Sequence, residues 1–268
     1  MNIEKTYIIP DVHGRDFWHD IEKLDSWERI IFLGDYVDPY REEGFTPKDA
    51  IAELKRVIEF TRTHLNVTLL LGNHDAGYFF SDYICECRMD YDNYLEIQNI
   101  FRDNRDLFKL AYYDTIEIDG NTKDVVFTHA GLSKQWLKYL YGEYEMSIED
   151  IVKDLNEKFD QLKEYFYTKM KFNDDVETFY QRLCLVSYNR GGWGYTSSCM
   201  WSDIRDYTAA LNILPDVYQI VGHTRLGEKG AYVRINDIIC IDSQVVWTLK
   251  DALETKIHLE IDTNEQKI

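Results

Sequence analysis

Four of the seven histidines in this sequence come just after short apolar runs, and each has Asp, Asn or Gly beside it. These four are His13, His74, His129 and His223. The motifs around them are Asp11-Val12-His13-Gly14, Gly34-Asp35-Tyr36-Val37-Asp38, Gly72-Asn73-His74-Asp75, Thr128-His129-Ala130-Gly131 and Gly222-His223-Thr224. Imidazole, carboxylate and amide oxygen are ligands that suit Mn, Fe and Zn, and these motifs contain no thiolate. They therefore predict a metal-dependent site built from distant parts of the chain.

Strand-like runs precede all five motifs and would bring them together. The runs are residues 7–9, 30–33, 67–71, 125–127 and 218–221. A helical pattern at 47–64 follows the second motif, so strands and helices alternate as they do in α/β proteins. Ligands bind at the carboxyl ends of strands in such sheets, so the four histidines are expected on one rim. Asp and Asn also favour tight turns without any metal, but five motifs in order outweigh that alternative.

The rest of the chain predicts additions to this core. Residues 231–261 read as strands joined by short turns, which predicts an antiparallel meander. Two segments, about 78–112 and 142–198, are rich in charged and aromatic residues at mostly helical spacing. We interpret them as helical insertions within a single domain that spans residues 1–268. Their aromatic side chains are expected to pack helices, and the alternative is a cap that stacks on a ring or a peptide beside the metals.

Composition excludes several classes of protein. Hydrophobic residues make up 45% and charged residues 29% of the 268, which is typical of a folded protein. Thirty Lys and Arg against 48 Asp and Glu give a formal charge of −18, which disfavours nucleic acid and membrane surfaces as main partners. No apolar stretch approaches the roughly 20 residues that cross a bilayer, and the first residues lack a signal-peptide layout. Five scattered cysteines favour reduced thiols, and these features together predict a cytoplasmic protein.

In their order, the five motifs resemble those of the calcineurin-like metallophosphoesterase superfamily, across about residues 6–245. Residues 34–38 and 129–133, with Trp201-Ser202-Asp203 further on, look most like the Ser/Thr phosphoprotein phosphatase branch. The resemblance implies an α/β fold, namely an α/β-β sandwich of two mixed sheets flanked by helices. It also implies two divalent metal ions, with Mn the first choice and Fe, Zn or Mg the alternatives, and a bridging hydroxide that hydrolyses phosphomonoesters.

The resemblance further implies six metal ligands in two sets that share one carboxylate. The first set is Asp11, His13 and Asp35, and the second is Asp35, Asn73, His129 and His223. The remaining histidine of the motifs, His74, is implied to donate a proton to the leaving alkoxide. Asp38 is implied to orient the ring of His74.

One position departs from the phosphoprotein phosphatase branch. Pro39 stands where those enzymes have an arginine that helps clamp the phosphate. Arg41, two residues on, is predicted to bind phosphate instead, because a guanidinium fork matches phosphate geometry. A second phosphate-binding arginine is left open among Arg190, Arg205 and Arg225.

Three functions are compatible with these residues. The preferred one is hydrolysis of phosphoserine or phosphothreonine in a phosphoprotein. The second is a small-molecule or nucleotide phosphatase, including a dinucleoside polyphosphate hydrolase, because Pro39 and the aromatic segments could reshape the cleft. The third is an inactive phosphate-binding scaffold, which the complete set of ligand positions disfavours. The expected partner is accordingly a phosphorylated substrate, either a phosphoprotein or a small phosphoester.

Overall fold

A computed structural model describes residues 1–80, 88–168 and 174–261. The helices in these ranges are α1 (Pro47–Thr63), α2 (Asn73–Phe79), α3 (Tyr94–Asp103), α4 (Lys134–Tyr141), α5 (Ile148–Thr168), α6 (Asp174–Leu183) and α7 (Leu249–Leu253). The strands are β1 (Thr6–Ile9), β2 (Arg29–Phe32), β3 (Val67–Leu70), β4 (Phe108–Lys109), β5 (Ala111–Ile118), β6 (Asn121–Thr128), β7 (Val217–Val221), β8 (Val233–Ile235), β9 (Ile238–Cys240) and β10 (Trp247–Thr248). Within these ranges, no helix combines the length and the apolar character that crossing a bilayer requires.

The strands form two mixed sheets of five. The first has the order β10-β1-β2-β3-β4, in which only β10 runs antiparallel to its neighbour. The second has the order β5-β6-β7-β9-β8, with parallel pairs at β6–β7 and β7–β9 and antiparallel pairs at both edges. The expected α/β architecture of two mixed sheets flanked by helices is therefore confirmed.

The central strands could be predicted from the sequence because they have apolar residues on both faces. Ile8 and Ile31 of the first sheet pack on Phe127 and Ile220 of the second, and all four side chains are fully buried. Their sequence neighbours, such as Phe32, turn to the opposite face and join the core beneath the helices. Strands covered on both faces read as continuous apolar runs, and all five predicted runs are strands.

The two segments interpreted as insertions differ in structure. In 142–198, α5 and α6 confirm the helical pattern, and a loop without regular strands follows them. In 78–112, α3 is helical, but the segment ends in β4 and the first residues of β5, so the expectation of a strand-free insertion was wrong there. β4 is only two residues long and pairs with β3, and such a short strand leaves no periodic pattern to recognise. Cys85 and Cys87 lie outside the described residues, and Cys184, Cys199 and Cys240 are free thiols.

The predicted meander at 231–261 is correct only at its start. β8 and β9 form an antiparallel pair on the second sheet, but β10 pairs with β1 in the first sheet, and α7 follows it. Residues 257–261 contribute one isolated bridge, between Leu259 and Ile235, and no strand. Ile257 is 48% and Leu259 41% exposed, so this apolar stretch lacks the burial that a core strand requires.

Candidate active site

The predicted site residues meet at the carboxyl ends of parallel strands from both sheets. Asp11 and His13 follow β1, and Asp35 follows β2. The remaining positions are Asp38 after β2, Asn73 and His74 in the first turn of α2 after β3, His129 after β6 and His223 after β7. All of these side chains are buried except His74, which is partly exposed. The expected single rim is therefore observed.

Four of these residues adopt left-handed backbone conformations. Their φ angles are 46° at His13, 51° at Asp35, 59° at Asp38 and 64° at His223. Positive φ in a non-glycine residue costs on the order of 1–3 kcal/mol and persists where the surroundings over-determine it. Such strain concentrates at functional sites, because a sharp turn at the end of a strand aims a side chain that regular geometry would direct elsewhere.

Three donor atoms lie around Nε2 of the His129 imidazole. Its Nε2 lies 3.0 Å from Asn73 Oδ1, 3.1 Å from His223 Nδ1 and 3.5 Å from Asp35 Oδ2. Ligand atoms that sit about 2.0–2.2 Å from one ion are separated by about 3.0–3.5 Å in tetrahedral or octahedral geometry. The spacing of this cluster therefore matches that of a single metal coordination shell.

The protonation of these rings also fits a metal. His129 Nδ1 lies 2.8 Å from the carbonyl of Leu33, which accepts a hydrogen bond and cannot donate one. The proton of neutral His129 is therefore on Nδ1, and the Nε2 lone pair faces the amide oxygen of Asn73. His13 repeats this arrangement, with Nδ1 2.8 Å from the carbonyl of Val37 and Nε2 3.5 Å from Asp35 Oδ2. Lone pairs that point at one another are stabilised by a cation between them.

A second donor cluster shares the same carboxylate. His13, Asp35 and His74 each place one ligand atom within 4.8 Å of the others, as do Asp35, His129 and His223. Asp11 is not a member of either cluster. Its carboxylate accepts the backbone N–H of His223 at 3.0 and 3.1 Å, so it lies behind the second cluster as well as near the first.

Burial sets the charge state of the ligand residues. It lowers the pKa values of His13, His129 and His223, so these imidazoles are neutral at neutral pH and keep a lone pair for a metal. Burial acts to raise the pKa of Asp35, but His129 and the other neighbouring imidazoles outweigh it, and the pKa lies below its ordinary value. Asp35, which both donor clusters share, is therefore an ionised carboxylate.

A further carboxylate, which the sequence reading missed, completes this face of the site. Asp242 lies two residues after the end of β9. It is 4% exposed and is a close neighbour of Asp11. Burial raises its pKa to about 6, and burial together with Asp242 raises that of Asp11. Its position at a strand end is the signal that could have identified it, since the other site residues obey the same rule.

The predicted acid and its partner are in contact. His74 Nδ1 lies 2.9 Å from Asp38 Oδ2, so the imidazole donates to the carboxylate and turns Nε2 away from it. The hydroxyl of Tyr78 donates to the other oxygen of Asp38. Burial raises the pKa of Asp38, and the hydrogen bond from His74 offsets part of this increase. Asp38 is thereby held in one orientation from both sides.

Asp75 connects the second and third motifs through the backbone. Its carboxylate accepts N–H groups from Asp35 at 2.8 Å, Tyr36 at 2.9 Å and Gly72 at 3.0 Å. The turn after β2 is therefore tied to the start of α2. This keeps the bridging carboxylate next to Asn73 and His74.

Substitution of Gly72 tests this close approach. A Cβ atom at position 72 would lie 2.1 Å from Asp35 Oδ1 and 2.4 Å from Asp35 N, so Gly72→Ala must displace the shared carboxylate. We expect Mn²⁺ affinity, measured by calorimetric titration, to fall by about 10- to 100-fold, as for other residues that position metal ligands. Gly227→Ala is the control, because its added Cβ meets no atom within 4 Å. Unchanged affinity in Gly72→Ala would show that the ligand geometry does not depend on this contact.

The clusters open into a cleft of about 900 Å³. Its lining comprises His13, Asp35, Tyr40, Asn73, His74, Arg88, Cys184, Leu185, Val186, Arg190, Gly191, Gly192, Trp193, Gly194, Trp201 and His223. Arg41 is exposed and is not part of this lining, so the structure does not bring it to the site. The guanidinium groups in the lining are those of Arg88 and Arg190.

Arg88 reaches the turn that contains Asp38 and Pro39. Its Nη2 donates to the carbonyl of Asp38 at 3.1 Å, and its Cζ lies 3.5 Å from the centroid of the Tyr40 ring. The ring of Tyr40 in turn lies edge-on to His13, with centroids 5.0 Å apart. No local signal in the sequence indicated Arg88, because fifty positions separate it from Asp38.

The three arginines that the sequence left open as phosphate-binding candidates are paired with acidic groups. They are Arg190, Arg205 and Arg225. Arg190 Nε lies 2.9 Å from Asp203, and its Nη2 donates to the carbonyl of His223. Arg205 pairs with the same aspartate at 2.7 Å, and Arg225 pairs with two glutamates near Tyr40. Among the three, only Arg190 lines the cleft.

Similar solved structures include a cold-active protein tyrosine phosphatase, with 18% identity, a TM-score of 0.48 and coverage of 94% of this chain and 72% of that one. Another is the phosphatase domain of the Legionella effector WipB, with 13% identity, a TM-score of 0.38 and coverage of 72% and 71%. Two curated relatives, phenylalanine–tRNA ligase beta subunits of Borrelia turicatae (strain 91E135) and Borrelia hermsii (strain HS1 / DAH), are 26% and 28% identical over 102 residues. That stretch is 36% of this chain and only 17% of each ligase subunit.

Residues 5–224 match the sequence profile of the calcineurin-like phosphoesterases. The match covers most of the chain and includes all five motifs, whose metal-ligand residue types the structure brings together. The chain therefore belongs to the calcineurin-like phosphoesterases.

Proposed function

We propose that this phosphoesterase removes phosphate from phosphoserine or phosphothreonine in proteins. The observation that carries the proposal is the convergence of the two donor clusters beside the His74–Asp38 pair. The likeness of the second and fourth motifs to the phosphoprotein phosphatase branch supports the choice of substrate. We further propose that the chain is a single catalytic domain, that Mn²⁺ is its preferred metal and that it acts in the cytoplasm.

In this proposal two ions are held by the chain. Asp11, His13 and Asp35 would hold one, of which His13 and Asp35 lie in one donor cluster, and Asp35 with the cluster around His129 would hold the other. When bound, divalent ions of this kind supply Lewis-acid polarisation of a phosphoryl group and lower the pKa of bound water. Asp11 reaches both sides of the site, because its carboxylate also holds the backbone of His223.

The chain itself supplies the proton for the leaving group. An alkoxide is a poor leaving group, so its oxygen must be protonated as the bond to phosphorus breaks. His74 is partly exposed, lines the cleft, and has Nε2 free of the Asp38 hydrogen bond. Asp38 accepts the Nδ1–H of His74, so it is the Nε2–H of the protonated ring that faces the cleft and is transferred to the leaving oxygen.

Two guanidinium groups are placed to hold the phosphate oxygens. We assign Arg88 to the position that Pro39 leaves without an arginine, because its Nη2 is anchored to the carbonyl of Asp38 in the same turn. Arg190 approaches from the side of His223. Both are positive in a chain whose net charge is −18, so they offset locally a field that repels anions.

Substitution of Arg88 tests this assignment against Arg41. A charge-assisted hydrogen bond contributes about 1.5–3 kcal/mol, so Arg88→Ala should lower kcat/KM by about 10- to 100-fold. It should also weaken competitive inhibition by inorganic phosphate to a similar degree. Arg41→Ala should change neither by more than about twofold, because its side chain is exposed outside the cleft. If Arg41→Ala lowers kcat/KM and weakens phosphate inhibition while Arg88→Ala changes neither, Arg41 and not Arg88 binds the phosphate.

The proposed substrate class is tested with a panel. Purified protein should contain close to two metals per chain by elemental analysis and hydrolyse a phosphothreonine peptide in a metal-dependent reaction. The comparison substrates are p-nitrophenyl phosphate and a dinucleoside tetraphosphate, each with and without added Mn²⁺. If phosphopeptides are inert while the nucleotide is cleaved with much higher efficiency, the protein-phosphatase proposal is wrong. Fully metal-loaded protein that turns over none of them would indicate a scaffold without activity.

A further inference from the structure

Part of the cleft lining, the apolar wall, is formed by apolar side chains and glycines. It consists of Leu185, Val186, Trp193 and Trp201, together with the glycines at 191, 192 and 194. The same cleft is lined by imidazoles, the carboxylate of Asp35 and Arg88, and the ring of Trp201 lies 5.9 Å from that of His223. A phosphorylated ligand in this cleft would have its phosphate at the donor clusters and its non-phosphate part against the apolar wall.

The apolar wall continues outside the cleft as an exposed aromatic surface. Trp193 is 91%, Tyr195 78% and Tyr188 55% exposed, and all three lie within eight positions of one another. The rings of Tyr188 and Tyr195 are packed edge-to-face with centroids 5.2 Å apart. Large aromatic side chains dominate the binding energy of protein interfaces, and tyrosine and tryptophan are enriched there.

The loop that presents these rings is braced from within. Tyr188 N donates to Gly194 O at 2.9 Å, and Gly192 N donates to Ser187 O at 2.8 Å. Ser187 Oγ and Asn189 Nδ2 both donate to the carboxylate of the buried Asp206, at 2.9 and 2.7 Å. A Cβ at position 192 would lie 2.0 Å from Val186 O, so the turn requires glycine at this point. The aromatic surface is therefore pre-organised, which reduces the entropy lost when a ligand binds.

We propose that this surface, formed by Trp193, Tyr195 and Tyr188, binds the polypeptide beside the phosphorylated residue and accepts a large apolar side chain against Trp193. The inference rests on the proposed function and narrows its substrate class to phosphoproteins with an apolar residue next to the phosphorylated one. Binding the side chain there positions the phosphate toward His74 and the donor clusters, because the apolar wall and the ligand residues face one cleft.

Three observations favour a polypeptide over a nucleobase as the occupant. The apolar wall has no carboxamide, hydroxyl or carboxylate side chain with which to read the edge of a base. Tyr188 and Tyr195 are exposed and do not line the cleft, so an occupant that contacts them as well as Trp193 must extend beyond the cleft, as a polypeptide does. The formal charge of −18 repels a nucleotide polyphosphate more strongly than a singly phosphorylated peptide.

The test compares two phosphothreonine peptides that differ only in having leucine or glycine beside the phosphothreonine. The third substrate is N-acetyl phosphothreonine amide, which has no flanking residue. In the unaltered enzyme, kcat/KM should be about tenfold or more higher for the leucine peptide, as expected when a leucine side chain leaves water. Trp193→Ala should remove this preference by lowering kcat/KM for the leucine peptide to about that for the glycine peptide. Tyr139→Ala is the control, since that tyrosine is 54% exposed on α4 and does not line the cleft.

The outcomes separate this inference from the proposed function. If the peptides are hydrolysed but Trp193→Ala retains the leucine preference, the inference is overturned and the phosphoprotein phosphatase proposal stands. If no phosphopeptide is hydrolysed while a nucleoside phosphate is, and Trp193→Ala raises its KM, both are overturned in favour of base stacking. Because Trp193 is almost fully exposed, its substitution should leave the thermal unfolding midpoint unchanged, which circular dichroism checks.

Discussion

Asp35→Asn is expected to abolish binding of both metals and to lower metal-dependent kcat/KM by at least about 1,000-fold. Asp35 Oδ2 lies 3.5 Å from His13 Nε2 and 3.5 Å from His129 Nε2, so a single oxygen serves both donor clusters. Its other oxygen accepts the backbone N–H of His74 at 2.9 Å. Asparagine keeps the shape of the side chain but removes the negative charge that two adjacent cations require.

Elemental analysis of purified Asp35→Asn, beside its kinetics, decides this prediction. The expected metal content falls from close to two per chain toward zero, while circular dichroism shows the same secondary structure. Asp20→Asn is the matched control, because Asp20 is an exposed aspartate that pairs with Lys23 at the surface. Retention of two tightly bound metals in Asp35→Asn would show that Asp35 does not bridge the clusters.

His74→Asn is expected to keep both metals and to lower turnover of an alkyl phosphate by about 100-fold or more, which is the usual contribution of a general acid. The loss should be much smaller for p-nitrophenyl phosphate, because p-nitrophenolate leaves without needing a proton. This dependence on the leaving group distinguishes proton donation from a general disturbance of the site. Asp38→Asn should show the same pattern to a smaller degree, since Asp38 acts by orienting His74.

Metal content is the second readout for His74, because His74 also contributes a donor atom to the cluster with His13 and Asp35. Loss of one metal from His74→Asn would make it a ligand and would remove its assignment as the acid. Full activity of His74→Asn on an alkyl phosphate would contradict the assignment as well. His19→Asn is the control, since His19 pairs with Glu53 at 2.7 Å and does not line the cleft.

Patterns local to the chain were sufficient to predict the centre of the fold. The runs that became β1, β2, β3, β6 and β7 are apolar on both faces. Helix α1 is capped at its N-terminus by Thr46, whose side chain forms a capping box with Asp49. These signals depend on neighbours within a few positions. The same is true of the five motifs, since each turn directly follows the strand that places it.

The edges of the sheets were not predictable in this way. β10 has only two residues, and it is a strand because it pairs with Tyr7 and Ile8, about 240 positions earlier. β4 likewise depends on its pairing with β3. Residues 257–261 have an apolar pattern similar to that of real strands, yet only Leu259 forms a bridge. Pairing between distant segments, rather than local propensity, decides which short runs become strands.

At the candidate site, too, some features could be predicted from local sequence and others depended on the packing of distant segments. By itself the sequence determined which residue types stand at the ends of the central strands, and hence His13, Asp35, Asn73 and the other motif residues as metal-ligand candidates. Only the tertiary structure decided that Arg88 and not Arg41 lines the cleft, that Asp242 adjoins Asp11, and that the loop with Trp193 lines the same cleft. The physical reason is that a strand-end turn is specified locally, whereas a cleft is formed by side chains whose proximity depends on packing across the whole chain.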